Sequence, residues 1–229
     1  MYGAGAADIN SKKLWNCLRL EIFQPVDVET EDGALVATQV LMKTLYESQD
    51  IQVDDIEGLA KEITQECLDI LKQPEKSQAR HAIKTTCALI STTRKCMLWF
   101  GNYTAHPKIA ASISRYVIAK AIPHLIGLFR NPDEIANRDS VVSHLADFSE
   151  ALRKSPLDMS GEGNLTSLKD ETLSVFVVGL KASSSRRPAL RGLKSMVETD
   201  GLITHEELGF IVHNINDVIL DEEDDQETR

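Results

Sequence analysis

The chain has 229 residues and a net charge of −10, and only 5% of its residues are aromatic. Its length allows one large domain or an array of helical repeats, whereas few aromatics and twelve glycines disfavour a β-sandwich or a barrel. Segment 221–229 holds six of the acids, and the remaining 24 basic and 29 acidic residues form a mildly acidic body, which argues against a general nucleic-acid-binding surface.

Helices are predicted along most of the chain, because apolar residues recur three and four positions apart. Residues 1–10 carry no such pattern and are predicted to be disordered. The first helix runs from Ser11 to Gln24, with a stripe of Leu14, Leu18 and Ile22. The second helix carries Leu35, Leu41, Met42 and Leu45. Asp54 and Glu57 are predicted to form a capping box before the third helix, whose stripe is Ile56, Leu59, Ile63, Cys67 and Ile70/Leu71.

The middle of the chain contains the clearest helix pair. The fourth helix places Ala79, Ile83, Cys87 and Ile90 inward, and Trp99 and Phe100 are predicted to fill a gap between neighbouring pairs. The pair itself spans 116–145 and beyond, with stripes of Ile118, Ile122, Leu125 and Phe129 and then Val141, Leu145, Phe148 and Leu152. Between them, Asn131, Pro132 and Glu134 are suited to cap a helix start. Pro123 is predicted to bend the first helix of this pair.

The last third of the chain is predicted to form a loop followed by three helices. Residues 155–164 form the loop, and Ser167 is predicted to cap a helix with Leu173, Phe176 and Leu180 inside. Pro188 is predicted to start a short helix striped by Leu190, Leu193 and Val197. Thr204 and Glu207 match a capping box, with Ile203 and Leu208 as a hydrophobic staple. The final helix carries Leu208, Ile211, Ile215 and Ile219, and a disordered acidic tail is expected at 221–229.

Helix pairs of this kind cannot bury both apolar faces alone, so their neighbours must stack on them. A proline in the first helix, a capped turn and Arg138 early in the second helix resemble a HEAT repeat, and Arg80 holds a similar position. The predicted fold is therefore all-α, a HEAT-repeat (armadillo-like) right-handed α-solenoid of about five helix pairs, some incomplete, over 11–220. Because no helix follows the last one, we expect the chain to be a piece of a longer solenoid.

The residue types that carry chemistry form no recognisable constellation. The four cysteines are 50, 20 and 9 residues apart, which does not match zinc or iron–sulfur ligand spacing. Cys67 fits an apolar stripe and is predicted to be a small buried hydrophobe. The six histidines are scattered, and no nucleophile pattern emerges. We therefore expect no enzyme, no cofactor and no metal, and no membrane span.

Segment 196–207 resembles half of a calcium-binding loop, with Gly201 at the glycine position. Met196 then stands first, where a carboxylate is required. A calcium-responsive helical protein is a minor alternative on this basis.

A run of four cations stands out on the acidic chain: Arg186, Arg187, Arg191 and Lys194. Two interpretations remain open. The run is a solvated helix start that balances nearby acids, or it is a partner-binding surface that grips an acidic protein segment or phosphates.

Several stretches resemble a known family: LWNCLRLEIFQPVDVETEDGALVATQVL, KSQARHAIKTTCALI, AKAIPHLIGLFRNPDE and SSSRRPALRGLKSMVETDGLITHEELGFIVHNINDVIL. They are similar to the central region of the HEAT-repeat methyl-methanesulfonate-sensitivity DNA repair/transcription protein family. This family is the large adaptor of the cytosolic iron–sulfur assembly machinery. The resemblance runs from about Leu14 to Leu220, over most of the chain.

The resemblance implies a scaffold that delivers iron–sulfur clusters to apoproteins of DNA repair, replication and transcription, including the TFIIH helicase. Its partners would be the assembly targeting subunits and apo iron–sulfur helicases and polymerases, in the cytoplasm and nucleus. It implies no cluster in the scaffold itself, no direct nucleic acid and no membrane. The alternative is a generic HEAT-repeat scaffold of the transport-receptor or phosphatase-scaffold type.

Overall fold

The computed structural model of the chain describes residues 4–48, 51–98, 107–153 and 164–227. Within these ranges the protein is all-α, as predicted, with nine α-helices, one 3₁₀ helix and no strand. The α-helices are α1 (Ala4–Phe23), α2 (Val28–Glu47), α3 (Val53–Ile70), α4 (Ser77–Leu98), α5 (Pro107–Arg130), α6 (Arg138–Arg153), α7 (Asn164–Leu180), α8 (Ser183–Val197) and α9 (His205–Glu227), and the 3₁₀ helix is Pro132–Asn137. Trp99, Phe100 and most of the predicted loop at 155–164 lie outside the described residues.

Across the described ranges, none of the helices has an apolar stretch of the length that a bilayer crossing requires.

Several helices, among them α1, α8 and α9, are longer than the sequence pattern predicted. α1 begins at Ala4 instead of Ser11, because the alanines of this segment have the highest helix propensity. α8 begins at Ser183 rather than at Pro188, which lies inside the helix. α9 continues to Glu227, through most of the segment expected to be a disordered tail. Glutamate and glutamine, which are good helix formers, contribute to that extension.

The capping predictions were right at two helix starts and wrong at two. At α9, Glu207 N donates to Thr204 Oγ1 (3.2 Å) and Thr204 N donates to Glu207 Oε2 (2.8 Å), which is the predicted capping box. Asn131 Oδ1 accepts from Asp133 N at 3.1 Å, as expected of a cap.

The predicted box of Asp54 and Glu57 is wrong, because α3 starts at Val53 after Gln52 and Glu57 instead pairs with Lys61 at 2.9 Å. Ser167 is not an N-cap either, since α7 starts three residues earlier.

The chain divides into two compact units. Unit 1 comprises 1–121 and 154–157, and in it α1 packs on α2, α2 on α4 and α3 on α4. The stripe predicted for α3 is confirmed at Ile56, Leu59, Ile63 and Cys67, and of its last two candidates Leu71 is buried while Ile70 is half-buried. In α1 the buried side chains include Trp15, Ile22 and Phe23, whereas Leu14 is exposed. The Trp15 ring meets the Phe23 ring edge-on, with 6.2 Å between the ring centroids.

Unit 2 comprises 122–153 and 158–229, and in it α6 and α7 both pack on α8, and α7 also contacts α9. The stripes predicted around the 3₁₀ helix and in α7 are buried, apart from partly exposed Leu152. In α8 only Leu193 of the predicted stripe is buried; Leu190 and Val197 are exposed. The buried face of α8 consists of Ser185, Ala189, Gly192, Leu193, Ser195 and Met196. These mostly small residues let neighbouring helices approach closely.

Candidate partner-binding surface

One side of α8 presents cations to solvent. Arg187, Arg191 and Lys194 follow each other at intervals of four and three residues, so they share one side of the helix. All three are exposed, and the small buried residues of α8 occupy the other side. We call Arg187, Arg191 and Lys194 the α8 basic face.

Arg186, the remaining cation of the predicted run, bonds to the end of α7 instead of facing solvent. Its Nε donates to the carbonyl oxygen of Leu180 at 2.9 Å, and Ser185 Oγ donates to the carbonyl oxygen of Gly179 at 2.8 Å. The last carbonyls of a helix have no partner within the helix. The first residues of α8 therefore satisfy the end of α7, and this anchorage holds a helical turn in place before Pro188.

Arg138 does the same for the preceding helix pair. Its Nε donates to the carbonyl oxygen of Phe129, the penultimate residue of α5, at 3.0 Å. Its guanidinium carbon lies 5.2 Å from the centroid of the Phe129 ring, within cation–π range. Arg138 and Arg186 thus each lie early in a helix and bond the last carbonyls of the α-helix that precedes it.

The members of the α8 basic face differ in how far they are neutralised. Arg191 Nη2 lies 2.6 Å from Asp147 Oδ1 and 3.3 Å from the carbonyl oxygen of Ser143, both on α6. Lys194 Nζ lies 3.7 Å from Glu198 Oε1, and its side chain is 72% exposed. Arg187 makes no ion pair with any residue that the structure describes.

Cations outnumber carboxylates on this surface, even with the neighbouring α6 included. Arg153 of α6 pairs with Glu198, so Arg153 and the three cations of the α8 basic face stand against three carboxylates, those of Asp147, Glu150 and Glu198. The exposed side chains of Leu190 and Val197 lie beside the cations on α8. An acidic segment with some apolar side chains fits this combination. Each exposed ion pair would contribute only about 0–1 kcal/mol, so binding would need several contacts at once.

Unit 1 contains a buried charge cluster that the sequence pattern did not indicate. Glu31, near the start of α2, is only 3% exposed. Its Oε1 lies 2.6 Å from His81 Nδ1 and its Oε2 lies 2.8 Å from Lys84 Nζ, both on α4. Burial alone raises the pKa of the Glu31 carboxyl, but the hydrogen bonds from Lys84 and His81 outweigh burial and leave the pKa below its ordinary value. The contacts of Glu31 with His81 and Lys84 therefore link α2 to α4.

A second cluster fastens α9 to α7. Lys169 Nζ lies 2.6 Å from Glu207 Oε1, and the Lys169 side chain is nearly buried. The hydrogen bond between the two side chains raises the pKa of Lys169 and lowers that of Glu207. The same glutamate closes the capping box with Thr204. The capping box was visible in the sequence, but the lysine 38 residues earlier was not.

A groove of about 700 Å³ lies among α1, α3 and α4 of unit 1. Its charged lining includes Arg19, Glu62, Glu66 and Asp69, and Arg19 pairs with Glu66. Burial raises the pKa of Glu66, against the opposing effect of Arg19. The groove is a mixed-charge surface with two cations, Lys76 and the already paired Arg19.

The cysteines whose side chains are described occupy different environments. Cys67 is fully buried in the α3 stripe, as predicted, and burial raises the pKa of its thiol. Cys17 is exposed and Cys87 is half-buried. Among the described residues, no three or more His, Cys, Asp or Glu side chains are grouped so that they could hold a metal ion.

No protein-family model, curated protein or solved structure matches the chain in sequence or fold comparison.

Proposed function

We propose that this chain is a non-catalytic scaffold, a central segment of an adaptor like that of cytosolic iron–sulfur assembly. It would act through surface contacts with assembly targeting subunits and with apo iron–sulfur helicases and polymerases, in the cytoplasm and nucleus. The resemblance of four sequence stretches to that family motivates the partner class. The observation that carries the scaffold role is the way successive helices pack.

Within each unit, two helices contact both the next helix and the one after it: α1 and α2 in unit 1, and α6 and α7 in unit 2. In unit 2, α8 packs on α7 and on α6, and α7 contacts α9. In unit 1, α2 packs on α1 and on α4, and α1 also contacts α3. A HEAT array has this pattern, because alternate helices form two layers. We therefore propose HEAT-type stacking within each unit, with the Arg138 and Arg186 caps as a repeated element of unit 2.

The α8 basic face is the contact surface that we propose for an acidic partner segment. Arg187 and Lys194 are its most available cations, because Arg191 is bonded to α6. Arg186 is left out of the proposed contact, since it caps α7. A partner with carboxylates spaced along a helix or an extended strand would bind there, and its affinity would fall as salt rises.

Charge reversal at this face tests the proposal. The variant Arg187→Glu/Lys194→Glu in the full-length protein should lower recovery of at least one assembly subunit or client in a pull-down. The matched control is Arg115→Glu/Lys181→Glu, which makes the same change in net charge at exposed positions outside α8. Equal recovery of every assembly factor and client with both variants would show that the α8 basic face does not bind these partners. Recovery of only phosphatase subunits or transport cargo by the unmodified protein would refute the adaptor role in favour of a generic scaffold.

A further inference from the structure

A groove in unit 1 runs from α3 to the turn after α1. The cavity of about 700 Å³ among α1, α3 and α4 adjoins one of about 430 Å³, because Lys76 and Gln78 line both. The second cavity reaches Gln24 and Pro25 after α1 and the first residues of α4. We call the two cavities together the turn groove. Together they are larger than the pockets of about 300–1,000 Å³ that usually hold small molecules, which favours a longer occupant.

The part of the turn groove beside α3 is acidic. Glu62 and Glu66 lie one helical turn apart on α3, and Arg19 of α1 pairs with Glu66. Burial raises the pKa of Glu66, and repulsion from Glu62 adds to the rise. Glu62 is exposed and makes no ion pair with any residue that the structure describes. A further cation would therefore be stabilised beside these two carboxylates.

The part of the turn groove beside the start of α4 is basic. Lys76 is exposed there and, within the described ranges, makes no ion pair. His81 lines the same part, and its Nδ1 lies 2.6 Å from Oε1 of buried Glu31, which fixes the ring and leaves Nε2 for a ligand. Ser77 and Gln78 are the first two residues of α4, where a helix carries partial positive charge. A carboxylate would therefore be stabilised here.

Amide side chains accompany these charges along the turn groove. Its lining includes four glutamines, Gln24, Gln65, Gln73 and Gln78. A primary amide offers one acceptor and two donors, so it can bond both the C=O and the N–H of a peptide backbone. Glu62 lies about 12 Å along the axis from the end of α3 at Ile70, a distance that an extended chain covers in about four residues.

The turn groove would stay open in a longer chain. It lies between two helix pairs, α1–α2 and α3–α4, at the turns that end α1 and α3. Helices that extend an array stack on the outer side of its first or last pair. The charges and amides of the turn groove are therefore left for another molecule.

We propose that the turn groove binds an extended peptide segment of another protein, with a lysine or arginine about four residues from an aspartate or glutamate. The basic side chain would pair with Glu62 and Glu66, and the acidic side chain with Lys76 and His81. The glutamines would bond the backbone between them. This site lies in unit 1, is separate from the α8 basic face and does not depend on the adaptor role.

Short peptides of defined charge order test this site. The acetylated and amidated heptapeptides Ser-Lys-Thr-Ser-Thr-Glu-Ser and Ser-Glu-Thr-Ser-Thr-Lys-Ser differ only in which charge comes first. In an NMR titration of the full chain, one of them should bind at least about tenfold more tightly than the other, and than versions with serine in place of the lysine or the glutamate. Equal binding of all these peptides, or binding of none, would overturn the proposal.

A charge exchange locates the binding. Glu62→Lys/Lys76→Glu exchanges the two unpaired charges of the turn groove and keeps the net charge, so it should abolish or reverse the preference between the two peptides. The matched control is Lys13→Glu/Glu21→Lys, which exchanges charges at exposed positions of α1 outside the groove and should leave the preference unchanged. An unaltered preference in Glu62→Lys/Lys76→Glu would contradict the site.

The unmodified chain gives a second measure of location. The tighter peptide should shift the backbone amide resonances of residues 62–70 and 76–81. Shifts confined to unit 2 would contradict the site even if a variant fails to fold.

Discussion

Gly192 lies where α8 meets the ring of Phe176. A Cβ atom added at Gly192 would stand 2.3 Å from Cζ of that ring and 2.5 Å from Cε1. Phe176 is fully buried, so its ring cannot turn away without displacing its neighbours. The missing side chain at position 192 thus sets how closely α7 and α8 approach.

The variant Gly192→Ala should therefore lower the free energy of unfolding by about 1–3 kcal/mol, the usual cost of overpacking a core. Chemical denaturation measures this. Gly127→Ala is the control, because Gly127 is an exposed glycine of α5 with no atom within 4 Å of the added Cβ. It should stabilise the protein by up to about 1 kcal/mol through helix propensity. Equal stability of the two variants would show that α7 and α8 are not in close contact.

The Glu31 cluster predicts a pH-dependent contribution to stability. The pKa of Glu31 is lower in the folded protein, where Lys84 and His81 bond the carboxylate. Such a group stabilises the fold above its unfolded pKa, and this stabilisation is lost as the pH falls through the folded pKa. At neutral pH, Glu31→Gln should lower the free energy of unfolding by about 1.5–3 kcal/mol, the value of hydrogen bonds to a charged group.

Urea denaturation of Glu31→Gln and the unmodified chain should give curves that converge as the pH falls below about 4.5, the ordinary pKa of this carboxyl. Convergence is expected because the unmodified chain then loses its carboxylate as well. A stability difference that stays constant from neutral to acidic pH would contradict the ionic role of Glu31.

At the scale of the element, α9 is held to α7 by Lys169 and Glu207. Lys169→Met should let the start of α9 open more often, while the rest of unit 2 keeps its packing. Hydrogen exchange of amides 207–211 should then accelerate about tenfold, as expected for a loss of about 1.4 kcal/mol of local stability. Lys181→Met is the matched control, because Lys181 is exposed and pairs with none of the described residues. Unchanged exchange at 207–211 would show that the capping box with Thr204 holds the start of α9 without the ion pair to Lys169.

The helices that the sequence predicted best are those with large aliphatic stripes. The stripes from Ile56 to Cys67 of α3 and from Val141 to Phe148 of α6 were predictable because such side chains can only be buried on one side of a helix. In α8 the same rule failed, because serine, alanine and glycine form the buried face. Small residues leave no hydrophobic signal, and the need for one of them, Gly192, becomes visible only through the ring of Phe176 that lies against it.

The ion pairs that join helices could not be predicted from local spacing. Glu31 and His81 are 50 residues apart, and Lys169 and Glu207 are 38 apart. By contrast, the Thr204 capping box and the Asn131 cap were predictable because both partners lie within three residues. For the basic run at 186–194, sequence identified the cations correctly. It could not separate Arg186, which caps α7, from Arg187, which faces solvent.

For the whole molecule, the all-α class followed from the recurrence of helical stripes, while the division into two units did not. The boundary near residue 121 falls inside α5, where the helical pattern continues without a break. Each unit is held together by the same means: apolar stripes and an interhelical ion-pair cluster. The surface that we propose for an acidic partner, the α8 basic face, lies in unit 2.

Iron incorporation into a client helicase tests the proposed adaptor role most directly. In cells that lack the full-length protein and are supplied with radioactive iron, the iron recovered with an immunoprecipitated cytosolic or nuclear iron–sulfur helicase should fall severalfold. Re-expression of the full-length protein should restore it, while a mitochondrial iron–sulfur protein should keep its iron throughout. Unchanged helicase iron in the absence of the protein would contradict the adaptor role.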